Sequence, residues 1–177
     1  IVASLVGSEM CIRDSYTVAG AKLPLTFSSY NCKGLSITKH DIISNLLSKS
    51  DFCLLQEHWS YVQEFTEVIQ NNFSNIECMV TSPMDETTHN RGRPYGGTAI
   101  LYHSNINAKI ERIHTDCKRL TIAAVTINTF KFCIFSVYMP YDEQRVGPNL
   151  VEFTDVLNEI HAVCLNSCLL YTSPSPR

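Results

Sequence analysis

The sequence contains no C-x-x-C pair, no apolar run long enough to cross a bilayer, no internal repeat and no excess of basic charge. Each absence excludes something. Without cysteines at metal-ligand spacing there is no case for a zinc site. Of eight cysteines, Cys32, Cys53, Cys78, Cys117, Cys133 and Cys164 lie outside the terminal stretches described below, most of them inside apolar runs. That placement predicts buried, reduced thiols with no disulfide partner, in an intracellular protein. The short apolar runs predict no membrane association. Lys and Arg number 14 against 17 Asp and Glu, a net charge of −3. The chain therefore lacks the electrostatic footprint of a general nucleic-acid-binding protein. An enzyme that grips a few phosphates locally remains compatible with that charge.

The two ends differ in texture from the middle. The tail reads "CLLYTSPSPR". One permitted back-translation of it, read on the opposite strand in a shifted frame, encodes VGSEMCIRD, which is the run from Val6 to Asp14. Two segments that are opposite-strand readings of one nucleotide string have the character of a sequencing-library adapter. The expectation is that 1–15 and 168–177 are non-native and that a single domain occupies 16–167, long enough for a real core. A cleaved signal peptide is the weaker reading of the front, because no basic stretch precedes its apolar run.

Between the ends, strands alternate with helices. "LPLTFSSYN" (23–31) predicts a strand running into a turn at "CKG". Ile37, Ile42, Ile43, Leu46 and Leu47 recur near helical spacing, with Ser36 or Thr38 as the N-cap. "DFCLLQE" (51–57) is a continuous apolar run, the pattern of a strand covered on both faces. Phe65, Val68, Ile69 and Phe73 mark a second helix, and "NIECMVTS" a strand. A polar loop (83–97) leads into the strand "TAILYH". The runs 118–127 and 130–140, separated by "NT", predict a hairpin. A last helix is expected to place Leu150, Phe153, Val156, Leu157, Ile160 and Val163 on one face. The sum is a layered α/β (α+β) domain with strands dominant and helices on the outer faces.

Three strings fall at strand ends, where chemistry is usually mounted on such a scaffold: "SYNCKG", "LLQEHW" and "SVYMPYD". Singly, Asn31 reads as a turn former, Glu57 as a carboxylate reaching solvent and Tyr138 as one more aromatic in a β-rich run. A carboxylate leaving so apolar a strand is nevertheless informative, because burying it unpaired is costly and a metal ion is one partner that offsets the cost. Together, and in this order, "YNCKGL", "DFCLLQEHW", "GRPYGGTAILY" and "FSVYMPYD" resemble the endonuclease/exonuclease/phosphatase superfamily. Within it they are most similar to the apurinic-type endonuclease domain of LINE-type (non-LTR) retrotransposons, over essentially all of 23–165.

The resemblance implies a DNase-like four-layer α/β-sandwich of two mixed sheets flanked by helices, with its second half incomplete here. It implies that Asn31 orients the site, that Glu57 is the acidic ligand of Mg2+ (or Mn2+), and that Tyr138 contacts the scissile phosphate. Arg93, like Arg91, is a candidate for phosphate contact, against the plainer reading of a solvated loop charge. The implied reaction is metal-dependent hydrolysis of a DNA phosphodiester, nicking target DNA in the nucleus so that a 3′ hydroxyl primes reverse transcription. The sequence also departs from the pattern. Lys33 stands where repair enzymes often carry an acidic residue, and Tyr141 where retrotransposon members often have Asn. The Gly-Asp-x-Asn and Ser-Asp-His strings that carry the water-activating Asp and the phosphate-contacting His do not occur. The chain is thus expected to be an N-terminal fragment, inactive as it stands. The alternatives are another phosphoesterase of the same superfamily, for inositol phosphates or sphingomyelin, and a decayed non-catalytic copy.

Overall fold

A computed structural model describes residues 25–84, 94–128, 130–140 and 148–166, together with the backbone of four short strands before residue 25. Those short strands are β1 (Val2–Ala3), β2 (Met10–Arg13), β3 (Tyr16–Val18) and β4 (Ala21–Leu23). The rest run β5 (Thr26–Asn31), α1 (Ile37–Leu47), β6 (Phe52–Gln56), α2 (Val62–Asn72), β7 (Ile76–Thr81), β8 (Thr98–His103), β9 (Lys109–Ile113), β10 (Leu120–Ile127), β11 (Phe130–Val137) and α3 (Pro148–Asn166). A five-stranded sheet has the order β2-β5-β6-β8-β7 and a four-stranded sheet the order β1-β11-β10-β9, while β3 and β4 pair with each other. Both larger sheets are mixed. β5 and β6 are parallel across the α1 crossover, β1 is parallel to β11, and the remaining pairs are antiparallel.

Strand alternation builds the layers. In β6, Cys53 and Leu55 face α1 and α2 and join Ile43, Leu46, Leu47, Phe65 and Ile69 in one core. Phe52 and Leu54 face the other way, toward Ala123, Val125, Ile127 and Ile134 of the second sheet. Both faces are covered, which is why the strand reads as an unbroken apolar run. Phe27 stacks on Phe52 in this middle layer, ring centroids 5.4 Å apart. On the far side of the second sheet, Leu120, Ile122, Cys133, Phe135 and Val137 pack against Val156 and Val163 of α3. The result is the expected four-layer helix–sheet–sheet–helix sandwich. Burial of each large apolar side chain in these layers contributes about 1.5–3 kcal/mol.

One element was not foreseen and one expectation needs correcting. β9 was not evident in the sequence: Lys109, Glu111 and Arg112 break its apolar pattern. It is an edge strand, where charge on the exposed side guards against pairing with other chains. On α3, only Val156, Ile160 and Val163 of the expected face pack inward, whereas Leu150 (65% exposed), Phe153 and Leu157 (47%) lie open to solvent. The helix is held in this rotation by polar ties, since Arg119 pairs with Glu152 and the Thr115 hydroxyl donates to Glu159 at 2.5 Å. Within residues 1–15, β2 lies along the outer edge of β5 and β1 along the edge of β11. Unpaired N–H and C=O groups at a sheet edge accept any extended segment, native or not. No helix among the described residues is long and apolar enough to cross a membrane.

Candidate active site

β5 and β6 run parallel in register, with Asn31 beside Gln56, so the residues leaving both strands emerge at the same end of the sheet. There Asn31 Nδ2 donates to Glu57 Oε1 at 2.7 Å. The backbone N–H of Lys33 donates to Asn31 Oδ1 at 3.1 Å, which fixes the orientation of the amide. Tyr138 follows β11 in the other sheet, and its phenol hydrogen-bonds to the Glu57 carboxylate. The structure thus brings Asn31, Glu57 and Tyr138 together at one end of the two sheets. Arg93 and Arg91 lie outside the described residues, as does Tyr141.

Glu57 is presented by unusual backbone. It adopts φ 55 and Trp59 adopts φ 57, left-handed values that side-chain-bearing residues rarely take. The strand end is braced on both sides to hold them. Glu57 N–H donates to Gly97 O at 2.8 Å and Trp59 N–H to Gly96 O at 3.0 Å. Opposite, Glu57 O accepts from Gly34 N–H at 2.7 Å and His58 O from Leu35 N–H at 2.9 Å. Two glycines make this approach possible. A Cβ on Gly97 would lie 2.3 Å from His58 Nε2, and one on Gly34 would lie 2.7 Å from the Trp59 ring. Both also have φ 91. The "CKG" and "GG" of the sequence are therefore parts of the mount for Glu57.

Tyr138 has its own mount. Its N–H donates to Arg119 O at 3.0 Å, and the Arg119 guanidinium lies over the ring, 5.2 Å from the centroid. Glu152 on α3 holds that guanidinium through Nε at 2.6 Å and Nη2 at 3.0 Å, a fork-to-fork pair that limits its rotation. Burial, with the neighbouring Glu57 charge, raises the Tyr138 phenol, and Arg119 only partly opposes this. The phenol is consequently a hydrogen-bond donor at neutral pH, suited to stabilising developing negative charge on a phosphate oxygen.

Two neighbours are structural. His58 is fully buried. Its Nε2–H donates to Thr81 O at 3.1 Å and Nδ1 accepts from Ser60 N–H at 3.1 Å. Desolvation lowers its pKa to about 4, against which the backbone contacts work only weakly, so the ring is neutral and fully engaged. The Cys32 thiol is pushed up to about 12 by burial and is no nucleophile.

The donors at this cluster are a carboxylate and an amide, hard oxygen chemistry of the kind magnesium prefers. They fit that ion in type and fall short in number, since the described residues hold no group of three His, Cys, Asp or Glu able to bind a metal. Sequence reasoning missed Arg119 and Glu152. The signal for Arg119 lay in the short separation of the two β-rich runs, since the pairing of Ile127 with Phe130 sets the hairpin register Leu120↔Val137 and so puts Arg119 opposite Tyr138. Nothing in the sequence pointed to Glu152, which arrives by packing of α3.

No protein-family model matches the chain, and neither does any curated protein. Solved structures do. The 3′ phosphatase NExo from Neisseria, bound to product DNA hairpin, superposes with a TM-score of 0.54 at 16% identity, over 80% of this chain and 51% of that one. The endonuclease domain of TRAS1, a telomere-specific non-LTR retrotransposon, gives 0.50 at 11% identity over 81% and 54%. The human Nocturnin catalytic domain with bound sulfate gives 0.55 at 11% identity over 91% and 63%. The chain spans between 51% and 63% of the length of these structures. At these identities the likeness is one of fold: the chain shares with these structures a DNase-like α+β sandwich of two sheets flanked by helices.

Proposed function

We propose that the chain is the N-terminal part of a divalent-metal-dependent phosphodiester hydrolase of the endonuclease/exonuclease/phosphatase superfamily, acting on DNA. Within that class we read it as the apurinic-type endonuclease of a non-LTR retrotransposon, occupying 16–167 between adapter-like ends. The observation that carries the reading is the convergence of Asn31, Glu57 and Tyr138 on one strand-end cluster, within a fold shared with a DNA-bound phosphatase and a retrotransposon endonuclease. In this reading Glu57 holds Mg2+ or Mn2+, which supplies Lewis-acid stabilisation of the phosphate when bound. Asn31 aims the carboxylate through Nδ2 and leaves Oε2 outside that bond. The Tyr138 phenol, which donates to Glu57 in the structure, would turn its proton toward a phosphate oxygen when substrate is bound, with Arg119 over its ring. Arg93 is proposed as a phosphate contact on substrate DNA.

The sequence offers no position for the water-activating Asp or the phosphate-contacting His. Loss of general-base assistance alone costs about 10²–10⁴ in rate. The expected outcome is no detectable Mg2+-dependent nicking of supercoiled plasmid by the purified chain, and nicking by a version extended through the two absent strings. Nicking by the chain itself that vanishes in Glu57→Ala would overturn the incompleteness. Activity of the extended protein on inositol phosphates or sphingomyelin, with none on plasmid, would transfer the assignment to a different phosphoesterase.

A further inference from the structure

Three buried polar side chains lie directly beneath the candidate site. Ser29 precedes Asn31 by two residues on β5, Ser136 precedes Tyr138 by two at the end of β11, and Gln56 immediately precedes Glu57. All are buried, Gln56 with 1% of its surface exposed and Ser136 with none. Gln56 Oε1 accepts from the Ser29 hydroxyl at 3.3 Å, and Gln56 Nε2 donates across the layer to Ser136 Oγ at 3.2 Å. The Ser136 hydroxyl in turn donates to Leu55 O at 3.0 Å. A single carboxamide therefore ties together the three strands that carry Asn31, Glu57 and Tyr138.

We propose that Gln56 is a positioning residue for the Glu57–Tyr138 pair: bridging the two sheets, it sets where the phenol stands relative to the carboxylate. The inference deepens the phosphodiesterase reading and rests on it only for its catalytic consequence. The physical argument is directional. Asn31 and Glu57 share a sheet, and the β5–β6 register aligns them without further help. Tyr138 belongs to the other sheet, and the apolar contacts of the middle layer resist separation more than lateral sliding. Thr121 of β10 is tied to Thr98 and Thr81, while on β11, which carries Tyr138, the polar ties are those of Ser136 to Gln56 and Leu55. A hydrogen bond of fixed length and angle between the sheets removes that freedom at the end where the site lies. An ångström of misplacement between reacting groups is enough to cost about 10²-fold in rate.

The test uses the 177-residue chain with 13C at tyrosine Cζ. Tyr138 and Tyr102 are assigned from Tyr138→Phe and Tyr102→Phe. In Gln56→Met, which keeps the volume and removes both hydrogen bonds, the Tyr138 resonance is expected to move most of the way to its position in Glu57→Gln. Tyr102, elsewhere on the same middle layer, is expected to stay. An unmoved Tyr138 resonance, or equal movement of Tyr102, overturns the proposal, because a merely space-filling Gln56 loosens the layer generally. If Gln56→Met does not fold, Ser136→Ala, which removes the acceptor of Gln56 Nε2 together with that hydroxyl's own bond to Leu55 O, tests the same cross-layer tie, and an unmoved Tyr138 resonance again overturns the proposal. A Mn2+ titration keeps the two readings apart: equal binding by the wild-type chain and Glu57→Gln sinks the metal assignment and leaves the tyrosine result standing.

Discussion

Lys33, after β5, and Glu57 and Trp59, after β6, take left-handed backbone at the same end of the sheet, as do Gly34, Gly96 and Gly97. Such conformations cost of order 1–3 kcal/mol each and persist only where the surroundings over-determine them. Here the bracing is the hydrogen-bonding of 57–59 to the "CKG" turn on one side and the glycine pair on the other. Gly97→Ala is expected to destabilise by roughly 2–4 kcal/mol, since the new Cβ meets a fully buried imidazole at 2.3 Å and φ 91 adds strain. Urea unfolding checks this, and a loss below 1 kcal/mol, roughly the size of a surface substitution, would refute the bracing. His58 supplies the pH dependence. Its folded pKa of about 4 lies below the ordinary value of 6.5, so the unfolded chain binds more protons between those limits. Its contribution is complete above about pH 6.5 and is lost as pH falls toward 4, by about 3 kcal/mol in all. Denaturation at pH 7, 6, 5 and 4 should show this decline, and His58→Gln should flatten it. Parallel curves for the two proteins would show that the imidazole does not carry it.

At the scale of elements, α3 is the least committed piece. It is anchored by Val156 and Val163 in the core beneath it and by Glu152 and Glu159 at its flank, while Leu150, Val151, Phe153 and Leu157 face solvent. Val156→Ala is expected to cost about 1–3 kcal/mol by the cavity it leaves, and Leu157→Ala less than about 0.5 kcal/mol. Thermal melts of the two variants separate these values, and equal losses would mean that the helix sits in another rotation. The periodicity of α3 in the sequence allowed a broader buried stripe than the structure uses. Periodicity reports which residues share a face, and the amount of that face covered depends on what lies opposite. The hairpin of β10 and β11 was legible in its pairing, because alternation and a short separation between the runs fix register locally. β9 was not, because an edge strand carries charge where a central strand carries apolar residues.

At the scale of the whole molecule, β1 and β2 are the outermost strands of their sheets. β2 adds a strand to the five-stranded sheet only at the free edge of β5, and β1 touches only the edge of β11. An edge strand of this kind satisfies backbone groups that water would otherwise satisfy, so little net free energy is expected from it. Deletion of 1–15 should change stability by less than about 1 kcal/mol, a shift of only a few degrees in Tm. Amide exchange should quicken along the β5 edge and stay unchanged in β6. A deletion that unfolds the protein would show that residues 1–15 are an integral part of the fold.

The sequence by itself determined the order of the helices and of the strands from β5 onward except β9, the layered α/β class and the three strand-end strings, because alternation, turn residues and short motifs are local properties that survive without a partner. Asn31 and Glu57 could be expected together from the parallel β5–α1–β6 unit alone. Only the tertiary structure decided that Tyr138, in the other sheet, meets Glu57, that Glu152 reaches Arg119 from α3, and that Gln56 spans the layer to Ser136. Those contacts join residues 33 to 81 positions apart in the chain. They depend on how two sheets settle against each other. That is set by the volume of the side chains between them, and no window along the sequence contains it.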